Sequence, residues 1–310
     1  MNLKQLTYFT QVFECGSFLA ASKLIGVGQS ALSMQVGRLE AELGVKLFER
    51  TYSGVVPTSA GNILHEHGVA ALQSLSEAKV ALARSADEAQ IGGPVSFGLP
   101  AALSRVVIPQ LVESFLEQFP RIDLRVSDSY AGNAADLVRS GEYDFAIGTP
   151  PDVGPHLIRR RLLADRLVLL SGHRLETTRP ACDLSKLAGI KLILPPRNHQ
   201  LAIMANTLIR EGVIRPSRTI DVNGHFSSAE IVRRSDWVML SPSVSLADSS
   251  LKSLFAYPIE PNILIDFHLI YDQRRPLAPA TVKLVDFIER QLHTARAAAR
   301  DRIDQDDISD

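Results

Sequence analysis

Cysteine is scarce in this chain, and long apolar runs and a signal-like N-terminus are absent from its sequence. Cys15 and Cys182 are the two cysteines among 310 residues, so they offer neither a metal-ligand spacing nor a disulfide framework. No apolar stretch reaches the length of a membrane span. The opening segment MNLKQLTYFTQVFECG has no basic region followed by an apolar run and a small-residue cleavage site. We therefore expect a protein of the cytoplasm.

An excess of charge of either sign is also missing. The formal net charge is −1 at pH 7, and residues 1–60 carry five basic and four acidic side chains, a balance of +1. Charge alone therefore does not predict a nucleic-acid-binding protein. If the N-terminal segment binds DNA, its basic groups must act at particular positions rather than through a general positive field.

Two helical patterns near the N-terminus are separated only by Gly26-Val27-Gly28. Ser17 is suited to cap the first, and the second begins near Gln29 or Ser30. The predicted buried stripe of the second helix consists of Leu32, Val36, Leu39 and Leu43, spaced four, three and four apart. Such a pair is typical of a helix-turn-helix, whose second helix enters the DNA major groove. A small helical bundle without a DNA-binding role would show the same periodicity.

Small and polar side chains occupy the opposite side of that second helix. They are Gln29, Ser30, Ser33, Met34, Gly37 and Arg38. Glutamine and serine can donate to and accept from base edges, methionine can contact a thymine methyl group, and arginine can reach a phosphate or a base. If the helix reads DNA, we expect the contacts at Gln29, Ser30, Ser33, Met34 and Arg38.

The segment VKLFERTYSGVVPT, residues 45–58, predicts a small hairpin, because two apolar pairs flank the turn-like TYSG. Beside a helix-turn-helix such a hairpin is a wing. Arg50, near its tip, would then contact a phosphate or the minor groove. The alternative is a surface arginine that only covers Phe48.

From Thr58, a predicted N-cap, the sequence favours a helix without proline for more than 30 residues. A heptad-like stripe runs along it through Leu64, Gly68, Ala71, Leu75, Ala78 and Leu82. The stripe favours pairing of two such helices. The alternative is a helix that packs on its own domain.

IGGPV, residues 91–95, interrupts the helical pattern, and strands then alternate with helices. The expected strands are 95–99, 123–128, 144–148, 166–172, 191–195, 219–223, 237–241 and 265–272. A last helix is expected over about 278–294. This alternation predicts an α/β domain with a mostly parallel sheet. Residues 296–310, which end in DRIDQDDISD, are expected to form an acidic disordered tail.

Twenty positions in the first 61 residues carry a specific pattern in register. They are Phe9, Gly16, Ser17, Ala20, Ala21, Leu24, Gln29, Ala31, Ser33, Gln35, Val36, Leu39, Glu40, Leu43, Gly44, Leu47, Phe48, Arg50, Thr58 and Gly61. In this pattern the segment resembles the N-terminus of a LysR-type transcriptional regulator. Ser30 stands where that family often has proline, and Met34 where it often has a polar or basic residue.

The resemblance implies a fold and an assembly for the whole chain. It implies an N-terminal all-α winged helix-turn-helix at 1–58, a long linker and dimerisation helix at 59–90, and an α/β effector-binding domain at 91–295. That domain would have two lobes like a periplasmic binding protein, lobe one from 91–161 and 266–295 and lobe two from 162–265. The implied partners are an inverted-repeat operator in double-stranded DNA, a small-molecule effector, RNA polymerase, and further copies of the chain in a homotetramer, a dimer of dimers.

The resemblance also implies an effector site in the cleft between the lobes. The matching positions are Pro100, Ala101, Ala102, Leu103, Ser104, Ala131, Gly132, Asn133, Thr149, Pro196, Arg197, Asn198, His199, Gln200, His225 and Phe226. Arg197 and His199 beside a helix N-terminus suggest a carboxylate-type anion. Alternatively, Arg197 is a solvated loop residue and His199 a helix cap. Ala102 stands where related proteins often carry Ser or Thr, so Ser104 or backbone N–H groups would have to replace that hydrogen bond.

Two other classes of protein fit the C-terminal pattern, an α/β enzyme and a solute-binding protein with a helical appendage. The sequence has no nucleophile elbow, no phosphate-binding glycine loop and no metal-spaced cluster, so we expect no enzyme activity, metal or cofactor. The expected absence of a signal peptide weighs against a solute receptor. Either rival would keep its function after deletion of residues 1–90, whereas a regulator would not.

Overall fold

The chain divides into two compact units, Met1–Leu82 and Ala83–Asp310, in a computed structural model. The structure describes residues 1–51, 54–84, 91–128, 133–149, 153–154, 156–176, 181–187, 189–275 and 277–308. Within these ranges no helix is both long and apolar enough to cross a membrane.

Three helices, a hairpin and a long helix form the first unit. They are α1 (Leu3–Cys15), α2 (Phe18–Ile25), α3 (Gln29–Leu43), β1 (Phe48–Thr51), β2 (Gly54–Pro57) and α4 (Ser59–Arg84). Ser17 caps α2 by accepting a hydrogen bond from the Ala20 amide. Gly26 ends that helix in the left-handed region at φ 71°, which lets α3 begin at Gln29 after only Val27 and Gly28. The predicted break between the two helices is present.

Most of the predicted stripe of α3 is buried. Leu32, Val36 and Leu39 pack with Phe9 and other apolar residues of the first unit. Leu43 is an exception, because 39% of its surface is exposed. The helix ends there, at Gly44, beyond the packed core.

The first half of α4 packs against α1. A Cβ at Gly68 would lie 2.8 Å from the Leu6 side chain, so the glycine allows the two helices to approach closely. The His65 ring stacks on Phe13 with 3.8 Å between ring centroids. Packing on its own domain, the alternative in the sequence analysis, therefore applies to this half of α4. Ala71 and Ala78 of the heptad-like stripe are exposed.

A ten-stranded mixed sheet organises the second unit. Its strands are β3 (Gly93–Leu99), β4 (Ile122–Asp128), β5 (Phe145–Gly148), β6 (Leu157–Ser171), β7 (Cys182–Asp183), β8 (Lys191–Leu194), β9 (Arg218–Asp221), β10 (Trp237–Pro242), β11 (Phe255–Glu260) and β12 (Leu264–Asp272). The main path runs β4-β3-β5-β12-β6-β10-β8-β9, and β11 pairs with β6 and β7.

The expectation of a mostly parallel sheet needs correction. β12 is antiparallel to both β5 and β6, and β6 is also antiparallel to β10 and β11. The two outer groups, β4-β3-β5 and β10-β8-β9, are parallel. Long β6 and β12 therefore join two parallel groups, and their register shifts between Phe267 and His268.

Helices cover this sheet, and several begin where a strand ends. They are α5 (Ala101–Gln110), a π-helical turn (Leu111–Phe115), α6 (Leu116–Gln118), α7 (Ala134–Ser140), α8 (Gln200–Arg210), α9 (His225–Arg233) and α10 (Pro279–Ile308), with two 3-10 turns at Ser243–Ala247 and Ser249–Leu251. The main core includes Phe97, Phe145, Leu169, Leu240 and Phe267.

The structure contradicts the expected disorder after residue 295, because α10 continues to Ile308. Ala299 and Ile303 are buried against a second apolar cluster that includes Leu246 and Leu254. The Arg302 guanidinium donates to the backbone carbonyls of Leu246, Leu251 and Leu254. The acidic composition hides the apolar side, because buried residues recur only every fourth position while the charges lie between them.

Candidate DNA-binding surface and effector pocket

The outer side of α3 is open to solvent at the positions predicted to read DNA. Gln29, Ser30, Met34 and Arg38 are exposed, and Ser33 is half-buried. Gly37 is also exposed, and no atom outside its own helix backbone and chain neighbours lies within 4 Å of where its Cβ would be. A helix with this surface can lie in a major groove and present hydroxyl, amide, thioether and guanidinium groups to base edges.

The hairpin is fixed to the helix-turn-helix at several points. The Leu47 and Phe48 amides donate to Glu40 Oε1, at 2.8 and 3.3 Å, and Lys46 Nζ lies 2.8 Å from Glu40 Oε2. On the other strand, the Val55 amide donates to the Gly16 carbonyl at 2.9 Å. Arg50 lies in β1 opposite Val55. Glu40, at the back of α3, thus holds the start of the wing, a role that the sequence reasoning missed.

Glu40 carries a negative charge that its surroundings stabilise. Burial raises the pKa of its carboxyl group, but the hydrogen bonds from Lys46, Leu47 and Phe48 lower it more, so that the net pKa is below its ordinary value.

A pocket of about 880 Å³, including its solvent-open mouth, lies in the second unit. Its walls come from the ends of β3, β4, β5, β8 and β9, from the first residues of α5, α8 and α9, and from β10 and β12. The lining residues comprise Pro100, Ala101, Ala102, Asp128, Gly148, Thr149, Ile193, Leu194, Pro195, Pro196, His199, Leu201, Val222, Asn223, Gly224, His225, Ser228, Met239, Leu240, Pro242, Ile265 and Phe267.

The pocket brings together some of the predicted effector residues. Those in its lining are Pro100, Ala101, Ala102, Thr149, Pro196, His199 and His225. Leu103 is fully buried in the core, and Ser104 is buried and donates to Asp128 Oδ1 at 2.8 Å. Asn133 precedes α7 outside the lining, and Ala131 and Gly132 lie outside the described residues.

The remaining predicted residues surround the pocket without lining it. The Arg197 side chain is 90% exposed and pairs with Asp221 at 3.5 Å, which is the behaviour of a solvated loop residue. Asn198 and Gln200 flank His199 outside the lining. Phe226 is 51% exposed and lies under the Arg105 guanidinium.

The two histidines of the pocket are held by hydrogen bonds. His199 caps α8, because its Nδ1 accepts a hydrogen bond from the Leu201 amide at 3.1 Å. In the neutral ring this leaves the proton on Nε2. His225 Nε2 lies 2.9 Å from Ser241 Oγ, which in turn lies 2.7 Å from Ser245 Oγ. Burial lowers the pKa of both rings, to about 4 for His225, so both are neutral at pH 7.

Backbone N–H groups are the main source of positive potential in the pocket. The lining holds no lysine or arginine among the described residues, and its one carboxylate is Asp128. The N-termini of α5, α8 and α9 meet there, and each presents amides with a partial positive charge. No group of three or more His, Cys, Asp or Glu suited to a metal occurs in the part of the chain that the structure describes.

Two family models match this chain. The LysR substrate binding domain matches residues 88–293, about two thirds of the sequence, and the bacterial regulatory helix-turn-helix protein of the lysR family matches residues 3–62. The chain belongs to the LysR family. It carries both the helix-turn-helix and the substrate-binding domain of that family. The resemblance seen in the N-terminal motifs is confirmed.

Curated proteins similar to this chain carry the names of regulators. The nitrogen assimilation regulatory protein nac of Klebsiella aerogenes is 30% identical over 63% of this chain and 63% of its own length. The regulator BbuR of Bordetella bronchiseptica is 32% identical over 61% of this chain and 58% of its own. The chain thus spans less than two thirds of these relatives. The dual regulator GltC of Bacillus subtilis is 25% identical over 93% of this chain and 96% of its own length.

Solved structures share the fold at low identity. A cysteine mutant of OxyR from Corynebacterium glutamicum, bound to hydrogen peroxide, has a TM-score of 0.59 at 20% identity and covers 97% of this chain and 95% of its own. Full-length CbnR in complex with its target DNA has a TM-score of 0.53 at 21% identity, over 94% and 100%. Full-length BenM has a TM-score of 0.54 at 20% identity, over 96% and 97%. These matches show the fold, a helix-turn-helix domain followed by a periplasmic-binding-protein-like α/β domain.

Proposed function

We propose that this regulator acts in the cytoplasm as a dimer of dimers on an inverted-repeat operator, under the control of a small carboxylate-type effector. The observation that supports DNA reading most directly is the outer side of α3, which is exposed and polar while its inner side is buried. A pocket at the ends of five strands supports the effector.

Six residues carry the proposed DNA contacts. Gln29, Ser30, Ser33, Met34 and Arg38 read the major groove, and Arg50 on the wing fixes the register on the backbone. Glu40 keeps the wing beside α3 through the Leu47 and Phe48 amides.

The proposed domains follow the family arrangement. Residues 1–58 bind DNA, 59–90 include the helix that pairs with a second copy, and 91–295 bind the effector. Lobe one consists of 91–161 and 266–295, and lobe two of 162–265. The register shift at Phe267 and His268, next to the proposed crossover, is compatible with movement of one lobe against the other.

The effector carboxylate is proposed to lie against helix N-termini rather than against Arg197. His199 at α8 and His225 at α9 both line the pocket, and the first turns of these helices have N–H groups without helical partners. His199 Nε2–H is a further donor. Arg197 is directed to Asp221 instead.

Effector binding would close the lobes and change the angle between dimers, and with it the DNA bend and the contact with RNA polymerase. An effector can do this only if it binds the two states of the tetramer with different affinity. Measuring the bend angle of operator DNA with and without saturating effector tests this mechanism directly. An unchanged bend angle would contradict it.

Fluorescence anisotropy on DNA from immediately upstream of the gene tests the DNA-binding residues. Arg50→Ala should weaken binding and reduce the slope of log affinity against log salt by about 1, because it removes one phosphate contact. Arg38→Ala should weaken binding to the operator by about 1–3 kcal/mol, because it removes a base contact in the major groove. Ser33→Ala should weaken binding to the operator more than to random DNA. Arg300→Ala, an exposed change on α10, is the control. Binding as tight as wild type in all three variants would contradict the proposed surface.

A further inference from the structure

We propose that the effector carries a protonated amine as well as a carboxylate, and that Asp128 in the pocket binds the amine. This inference rests on the proposed function and specifies the chemical class of the effector.

The charges of the pocket lining do not suit a simple carboxylate. Asp128 contributes one negative charge, and the described lining offers no lysine or arginine to balance it. Arg105, a nearby cation, is engaged elsewhere, because its Nε lies 2.8 Å from Asp248 Oδ2. Asp128 is exposed at the pocket, and a ligand with only a carboxylate would place a second negative charge near it without a charged side chain to balance it.

The position of Asp128 suits a ligand contact. It is the last residue of β4, paired in register with Leu99 at the end of β3, directly before the pocket residues Pro100 and Ala101. Ser104 Oγ donates to Oδ1 at 2.8 Å and so orients the carboxylate. No hydrogen bond to Oδ2 is formed by the residues that the structure describes, so this oxygen can accept one from an ammonium group.

The rest of the pocket provides for the other parts of such a molecule. The N-termini of α5, α8 and α9 can bind its carboxylate. Ile193, Met239, Ile265 and Phe267 give an apolar wall for a hydrocarbon body. The ammonium group of such a ligand would thus face Asp128, and its carboxylate would face the helix N-termini. The ligand has no net charge, so the total charge of the pocket side chains and the ligand stays at −1.

Isothermal titration calorimetry on the full chain with four five-carbon probes tests the inference. The probes are 2-aminopentanoate, 5-aminopentanoate, pentanoate and pentylamine, which share a skeleton and differ in their charged groups. The variants are wild type, Asp128→Asn and Asp123→Asn. Asp123 is an exposed residue of the same strand outside the pocket and is the matched control.

We expect one of the amino acids to bind wild type and Asp123→Asn more tightly than pentanoate does. Asp128→Asn should weaken that binding by about tenfold or more and should remove the preference over pentanoate. Thermal unfolding of both variants checks that they are folded.

Other outcomes separate the inference from the proposed function. If pentanoate binds wild type as tightly as both amino acids do, the effector needs no amine. The inference is then wrong, and the proposal of a carboxylate effector is unaffected. Equal affinity of the amino acids for wild type and Asp128→Asn would overturn the role of Asp128. If none of the four probes binds wild type, the amine inference and the carboxylate effector both fail. Binding of pentylamine alone would keep Asp128 as the amine site but reject the carboxylate.

Discussion

Arg105 Nε lies 2.8 Å from Asp248 Oδ2, and the same guanidinium lies 4.8 Å from the centre of the Phe226 ring. Arg105 belongs to α5, which begins at the pocket residue Ala101. Phe226 belongs to α9, which begins at the pocket residue His225. One side chain therefore connects two helices that both form a wall of the pocket.

Replacing Arg105 should have a small and salt-dependent effect on stability. We expect Arg105→Gln to lower the free energy of unfolding by less than about 1 kcal/mol, because the arginine is half exposed and water and ions screen the pair. Urea unfolding at low and high sodium chloride measures it, with exposed Arg125→Gln as the control. A loss that stays the same at high salt would show that packing on Phe226, not charge, is what the variant removes.

Glu40→Gln should loosen the wing. The variant removes the charge that Lys46 and the Leu47 and Phe48 amides stabilise, at a cost of about 1–2 kcal/mol. Operator affinity should fall as well, since Arg50 follows those residues. Because the pKa of Glu40 is lowered in the folded state, its contribution is fully present above about pH 4.5 and is lost as the pH falls below that value.

The control for this change is Glu66→Gln, which removes the same charge from an exposed position of α4 in the same unit. Urea unfolding at pH 7 and pH 4, together with anisotropy on operator DNA, compares the two. Similar losses in both variants would mean that net charge, and not the hydrogen bonds of Glu40, determines the effect.

His225 should make the second unit sensitive to acid. Burial lowers the pKa of its ring from 6.5 to about 4; Asp248 opposes this shift, and Arg105 and His199 add to it. The ring is neutral in both states above pH 6.5. As the pH falls from 6.5 towards 4, protons bind the unfolded chain only, and stability is lost. By pH 5 this loss amounts to about 2 kcal/mol.

His225→Gln, whose amide can still bond to Ser241, should remove that part of the acid sensitivity. Urea unfolding at pH 7 and pH 5 gives the difference for wild type, the variant and exposed His293→Gln on α10. If wild type and His225→Gln lose the same stability on acidification, His225 is not the group that titrates.

The last two turns of α10 should contribute to stability. Ile303 is 2% exposed and packs with Ala299 and Leu254, so Ile303→Ala should lower the free energy of unfolding by about 2–4 kcal/mol. Arg302→Ala should also destabilise, because three backbone carbonyls lose a donor. Thermal unfolding compares both with exposed Arg300→Ala, and a melting temperature equal to that of the control would contradict the packing.

Local periodicity was sufficient to predict α3 and the wing. Leu32, Val36 and Leu39 are buried as their spacing indicates, because an isolated helix face has one direction in which to pack. The sequence could not reveal Glu40 as the anchor of the wing, since its partners are backbone amides seven and eight residues away. Almost every residue type has a backbone amide, so a hydrogen bond from one cannot be predicted from the identity of the residue that donates it.

The pocket was predicted only in part, because many of its contacts join residues that are far apart in the sequence. Ala101 and Thr149 directly follow strands, and the family resemblance, which implies an effector at strand ends, placed them in the site. Met239, Ile265 and Phe267 lie inside strands, and only the pairing of β12 and β10 with β6 brings them to the cavity. Asp128 ends a predicted strand, which was the one local signal for it. The N-terminal half of β6 was not predicted, because Arg159, Arg160 and Arg161 interrupt the alternation of apolar and polar residues that indicates a strand.

The contacts of Ala299, Arg302 and Ile303 have a genetic consequence. Stop codons and frameshifts close to the end of a gene are commonly treated as harmless when the lost segment is short and acidic. In this gene a stop codon at position 296 would remove all three residues and uncover Leu246 and Leu254. Alleles that stop the chain at position 296 should therefore be grouped with those that lack the protein.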